Sequence, residues 1–145
     1  MKKDADVPNI LKMDGIASVM TEFDMLTVTS IPNILKAHIH HYSWAQTIIN
    51  SDSNSATLIC QPKGAGNRMH HHPDWNEWWY ILEGSWMVKF GDGDGEKRQV
   101  FAGDIVFIEK GRSHMITALT YKAIRLAVSR YDVDHVYRDD DYDSI

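Results

Sequence analysis

From residue 35 to residue 129 the chain is cut into short runs of β-forming residues by turn residues, and this rhythm leaves few architectures open. The runs lie near 44–49, 56–61, 68–72, 77–83, 86–90, 98–101, 104–108, 114–119 and 123–129. Between them stand Asn50-Ser51-Asp52-Ser53-Asn54, Pro62-Lys63-Gly64-Ala65-Gly66, Gly84-Ser85, Gly91-Asp92-Gly93-Asp94-Gly95, Gly103 and Lys110-Gly111. Many short strands at close spacing indicate an all-β sandwich or barrel. At 145 residues there is room for one such domain and not two.

The flanks have a different character. Residues 1–34 form an N-terminal extension in which Asp14 could cap a short helix, with Ile16, Val19, Met20 and Phe23 at helical spacing. Pro32 should interrupt anything helical before it. The barrel is expected over 35–131. Residues 132–145 are expected to be an acidic tail, with Arg138-Asp139-Asp140-Asp141-Tyr142-Asp143 solvated.

Charge and cysteine content narrow the function. A net charge of -5 argues against a nucleic-acid or anionic-membrane surface. No segment has the roughly 18 uninterrupted apolar residues of a membrane span, and Met1-Lys2-Lys3-Asp4 does not begin a signal peptide, so a cytoplasmic location is expected. Cys60 is the one cysteine, set in the apolar run Thr57-Leu58-Ile59-Cys60-Gln61, and reads as an inert core thiol.

The chemistry concentrates in Gly64-Ala65-Gly66-Asn67-Arg68-Met69-His70-His71-His72-Pro73-Asp74-Trp75-Asn76-Glu77. On a strand, alternation turns His70 and His72 to one face and His71 to the other. Pro73, Asp74 and Asn76 favour a turn, which can bring Glu77 back beside the two imidazoles. His114 follows the turn-like Lys110-Gly111-Arg112-Ser113. Imidazoles with one carboxylate suit Fe, Mn, Ni, Zn or Co, with further positions for substrate or water. The bland alternative is a polar histidine patch beside an unrelated surface carboxylate.

These residues resemble the cupin family. Gly64-x5-His70-x-His72-x4-Glu77-x6-Gly84 matches its first motif at every fixed position, and Gly103-x5-Glu109-x-Gly111-x2-His114-x3-Ala118 represents its second. Glu109 stands where the family has Pro, and Ala118 where it has Asn; neither is a ligand position. The motifs and the short spacer between Gly84 and Gly103 cover residues 64–118. The resemblance implies a cupin β-barrel, a jelly roll or double-stranded β-helix, with a short N-terminal helix. It also implies one divalent metal ion (Fe, Mn, Ni or Zn) held by His70, His72, Glu77 and His114, with His72 and Glu77 also catalytic. A small single-domain cupin is expected to act as a non-haem oxygenase on a small anionic or aromatic organic substrate. A metal-dependent lyase or isomerase is the alternative, and a non-catalytic sensing cupin the reading from another class.

Arg68 shares strand parity with His70 and His72 and would suit a substrate carboxylate or phosphonate, unless the strand starts after residue 68 and leaves it solvated at the rim. Trp79 and Ile81 share the face of Glu77, and with Ile116 they are the other candidate substrate contacts. Trp78 and Tyr80 face the other way. His38, His40 and His41 form a second cluster, for which local hydrogen bonding is the simpler expectation. A homodimer is expected, with residues 31–44 and Trp78 as candidate contacts.

Overall fold

The computed structural model describes residues 2–3, 19–20, 25–91, 95–130 and 134–137. Its elements are β1 (Lys2–Lys3), β2 (Val19–Met20), α1 (Ile31–Ala37), β3 (Trp44–Asn50), β4 (Ser55–Pro62), β5 (Gly66–His71), β6 (Glu77–Glu83), β7 (Ser85–Phe90), β8 (Lys97–Phe101), β9 (Ile105–Ile108), β10 (His114–Ala118), β11 (Lys122–Ser129) and β12 (Asp134–Tyr137). They form two six-stranded sheets, ordered β1-β12-β5-β10-β7-β8 and β2-β3-β4-β11-β6-β9. Every pairing is antiparallel except β2 with β3. Strands distant in sequence lie side by side, as in a jelly roll.

Alternation builds the interior. Facing positions Trp79, Ile81, Val106, Ile108 and Ala123 of one sheet meet Trp86, Val88, Phe90, Ile116 and Ala118 of the other in one buried cluster. The opposite face of β3, β4 and β11 is also apolar, through Trp44, Leu58, Cys60 and Ile124, and α1 covers it with Ile34. That double burial explains why β4 and β11 read as continuous hydrophobic runs rather than as alternating strands.

Glycine is required by geometry at Gly95, where a Cβ would lie 1.9 Å from Phe90 O, and at two positions nearer the strand pairings. Gly84, between β6 and β7, has φ +75°, and a Cβ there would lie 2.2 Å from Thr120 Oγ1 and 2.7 Å from Lys122 O. At Gly66 a Cβ would lie 1.8 Å from Ile116 O, so only glycine lets β5 run this close to β10.

Two sequence expectations are corrected. The short helix among the described residues is α1; of the segment where a helix was expected from Asp14 to Phe23 only Val19 and Met20 are described, and these pair with Trp44 and Ala45 as strand, while Asp14, Ile16 and Phe23 lie outside the described residues. Ser30 caps α1, its Oγ accepting from Asn33 N–H at 3.3 Å. Pro32 sits in the first turn of α1, where a missing N–H costs nothing, and the described residues 25–30 before that helix are not helical, in keeping with the interruption expected there. Residues 134–137, placed by composition at the start of the acidic tail, form β12, which pairs Val136 with His71 and Tyr137 with His70. Acidic neighbours masked a short β-forming run with an open sheet edge to join. The acidic residues 138–143 lie outside the described residues.

Cys60 is fully buried, and its Sγ contacts Tyr42 O at 3.6 Å. Burial pushes its pKa up to about 12. The thiolate fraction at pH 8 is then on the order of 10⁻⁴, so iodoacetamide is expected to label Cys60 only after denaturation, as read by intact mass. Stoichiometric labelling of the native protein would contradict this packing.

Candidate metal centre

β5 ends and β10 begins at the same point of one sheet, where His70 lies directly opposite His114. The loop before β10 is tied to the loop after β5: Gly111 N–H donates to His72 O at 2.7 Å, and Lys110 N–H donates to Asn76 Oδ1 at 2.9 Å. These bonds bring the two histidine segments together. His70, His72 and His114 are all buried, and their ligand atoms lie within 4.8 Å of one another. Ring centroids are 4.3 Å apart for His70–His114, 5.0 Å for His70–His72 and 5.2 Å for His72–His114.

The hydrogen bonds decide which nitrogens are available. His70 Nδ1–H donates to Arg68 O at 2.7 Å, and His114 Nδ1–H donates to Arg112 O at 2.8 Å. A carbonyl only accepts, so each Nδ1 carries the proton and each Nε2 keeps its lone pair. Histidines that ligate a metal are typically oriented by such a bond from the other ring nitrogen. Glu77 adjoins the set through His72, whose Nε2 is 3.3 Å from Glu77 Oε2. Trp79 Nε1–H donates to the other carboxylate oxygen, Oε1, and fixes its orientation. Three imidazoles with one carboxylate suit a borderline divalent ion, so the residues present fit the metal that the sequence suggested.

The remaining candidates occupy different places. Trp79 is buried, edge-on to His114 with centroids 5.8 Å apart, and acts on Glu77 through its indole N–H. Ile81 and Ile116 lie in the buried cluster between the sheets. Arg68 is partly exposed. β5 carries a bulge, since Asn67 pairs with Ile116 but His70 with His114. Strict alternation therefore does not carry from His70 back to Arg68, and Asn67 holds the register position opposite inward-facing Ile116. Trp78 and Tyr80 turn outward, beside exposed Ile105 and Phe107 across the β6–β9 pair.

The second histidine cluster is satisfied locally. His38 Nε2–H donates to Gln46 Oε1 at 3.0 Å, which leaves its Nδ1 to accept from His41 Nδ1–H at 2.9 Å. His38 also stacks on Trp44 at 4.1 Å.

Sequence reasoning missed Arg125. It lies on β11 opposite Ile81 and Ile59, is 1% exposed, and donates from Nη1 to Gln61 Oε1 at 2.6 Å. Its guanidinium lies 4.7 Å from the Trp86 ring and 5.5 Å from the Trp79 ring. Burial lowers its pKa to about 10, with attraction from Glu77 opposing the fall, so it stays charged at neutral pH. The signal was available: one arginine within Ala123-Ile124-Arg125-Leu126-Ala127-Val128, a run apolar on both faces.

The sequence profile of the Cupin domain family matches residues 57–130, which include both histidine motifs. No curated protein matches the chain. Among solved structures it is similar to a protein from Bacillus halodurans, at 15% identity and a TM-score of 0.62, covering 78% of this chain and 87% of that one. It is also similar to KdgF from Halomonas sp., at 21% identity and TM-score 0.54, covering 66% and 82% respectively. Oxalate decarboxylase from Bacillus subtilis is similar at 22% identity and TM-score 0.53, covering 61% of this chain and 24% of that longer one. Likeness at these identities shows the fold.

Proposed function

This chain belongs to the Cupin domain family, and from that premise we propose that it is a mononuclear metal-dependent oxygenase acting on a small organic acid. The carrying observation is the convergence of three buried imidazoles, with Nδ1–H bonds from His70 and His114 to backbone carbonyls that set the lone pair of each of these two rings on Nε2. His70, His72, His114 and Glu77 would hold that ion. A divalent metal there supplies Lewis acidity and, as Fe(II), redox chemistry with dioxygen.

The chain's own residues do the rest. Trp79 holds Glu77 Oε1, so Oε2 is presented toward His72 and the imidazole set. In this reading Glu77 would accept a substrate proton, with His72 beside it to steady the charge that results. A lyase is the second reading, favoured by the likeness to oxalate decarboxylase.

Oxygen uptake by the Fe(II)-reconstituted chain, across a panel of small mono- and dicarboxylates, tests the proposal. Uptake that requires both metal and substrate is the expected result. Product formed without uptake would replace the oxygenase with the lyase, and binding without turnover would leave a sensing protein.

A further inference from the structure

Arg125 places a fixed positive charge inside the barrel, and the groups around it add donors rather than acceptors. Its Nη1 uses Gln61 Oε1, so the Gln61 amide must present Nε2–H₂ on its other side. Gln61 Nε2, Arg125 Nε and Trp86 Nε1 are each buried, and none has a hydrogen-bond partner among the described residues. Gln61 and Trp86 are 0% exposed. Gln61 contacts the guanidinium directly, and Trp86 lies against it from the other sheet. The positions two residues to either side on the same face of β11 carry only Ala123 and Ala127. Buried donors without acceptors are costly, and a cluster of three around a cation calls for an oxyanion.

We propose that Arg125, Gln61 and Trp86 form a carboxylate-binding subsite inside the barrel, which selects substrates carrying that group. The inference rests on the enzymatic reading above and names its substrate class. In that arrangement the substrate carboxylate accepts from Arg125 Nε–H, Gln61 Nε2–H and Trp86 Nε1–H. The rest of the substrate extends toward Glu77, whose charge already acts on Arg125 through the core.

Sodium formate is the probe, titrated into the full ¹⁵N-labelled chain as purified and again after chelator treatment. The Trp86 indole resonance is assigned from a Trp86→Phe spectrum. The expected result is a saturable shift of the Trp86 indole and Arg125 Nε–H resonances that survives metal removal and is not reproduced by sodium chloride. Gln61→Glu supplies an internal carboxylate to Arg125 and should weaken formate binding at least tenfold. Arg125→Lys removes the Nε–H donor and should do the same. The subsite is overturned by an absent or non-saturable shift, by equal shifts with chloride, by binding only while metal is present, or by undiminished affinity in a folded variant. Because the readout needs no metal, formate binding by a chain that takes up no metal would sink the enzymatic reading and leave the subsite standing.

Discussion

Replacing His72 with alanine is expected to lower affinity for a divalent metal by on the order of 100-fold or more, and to abolish turnover. Losing a residue that merely orients a metal ligand typically costs about 10–100-fold in metal affinity, and a direct ligand should cost more. His72 is also the residue through which Glu77 joins the set, at 3.3 Å, so its loss separates the carboxylate from the remaining imidazoles. Equilibrium dialysis with metal analysis measures the effect. His71→Ala is the internal control, because His71 is only partly buried and stands outside the clustered ligand atoms. It should keep full metal content. Equal loss in both variants would mean that the segment responds as a fold element rather than as a site.

The second large effect is on stability. Trp86 is fully buried, lies opposite Ala118 on β10 and packs with Trp79, Val88 and Ile116 between the sheets. Trp86→Ala is expected to cost about 3–5 kcal/mol through lost transfer energy and the cavity left behind. It also strips Arg125 of its nearer aromatic face, at 4.7 Å, leaving a buried cation with less to compensate it. Against a typical stability of about 5–15 kcal/mol, this should lower Tm by about 10 °C or more. Urea or thermal unfolding reads it directly. Trp78→Ala on the outer face is the comparison, and its cost should be much smaller. Equal costs would mean that the inward and outward faces of these strands are misassigned.

The nine strands from β3 to β11 were legible because each is specified locally: β-forming residues run between turn residues, and glycines stand where the chain must reverse. The convergence of His70, His72 and His114 was legible for the same reason, since motif spacing encodes which strand ends meet. What escaped notice depends on neighbours distant in sequence. β12 exists because β5 has an edge to offer, although its own segment looks like a charged tail. α1 forms where Ser30 caps it and where the outer face of β3, β4 and β11 needs cover, a need set by strands far along the chain.

The bulge in β5 adds a residue that no local pattern announces, and it upset the parity argument for Arg68. The bond from the Trp79 indole N–H to Glu77 is visible only once both side chains are placed. Arg125 was overlooked for a different reason. A lone charge stands out in a doubly buried run, but the partners it must have, Gln61 and Trp86, lie on other strands.

The central claim is that His70, His72 and His114, with Glu77, hold one metal ion through Nε2 nitrogens and a carboxylate oxygen. Anomalous diffraction from crystals of the metal-loaded chain, collected at the metal's absorption edge, tests it most directly. The expected result is one strong peak per chain, about 2.0–2.2 Å from the Nε2 atoms of the three histidines and from a Glu77 oxygen. A peak elsewhere, or one approached through Nδ1 with the bonds to Arg68 O and Arg112 O broken, would contradict it.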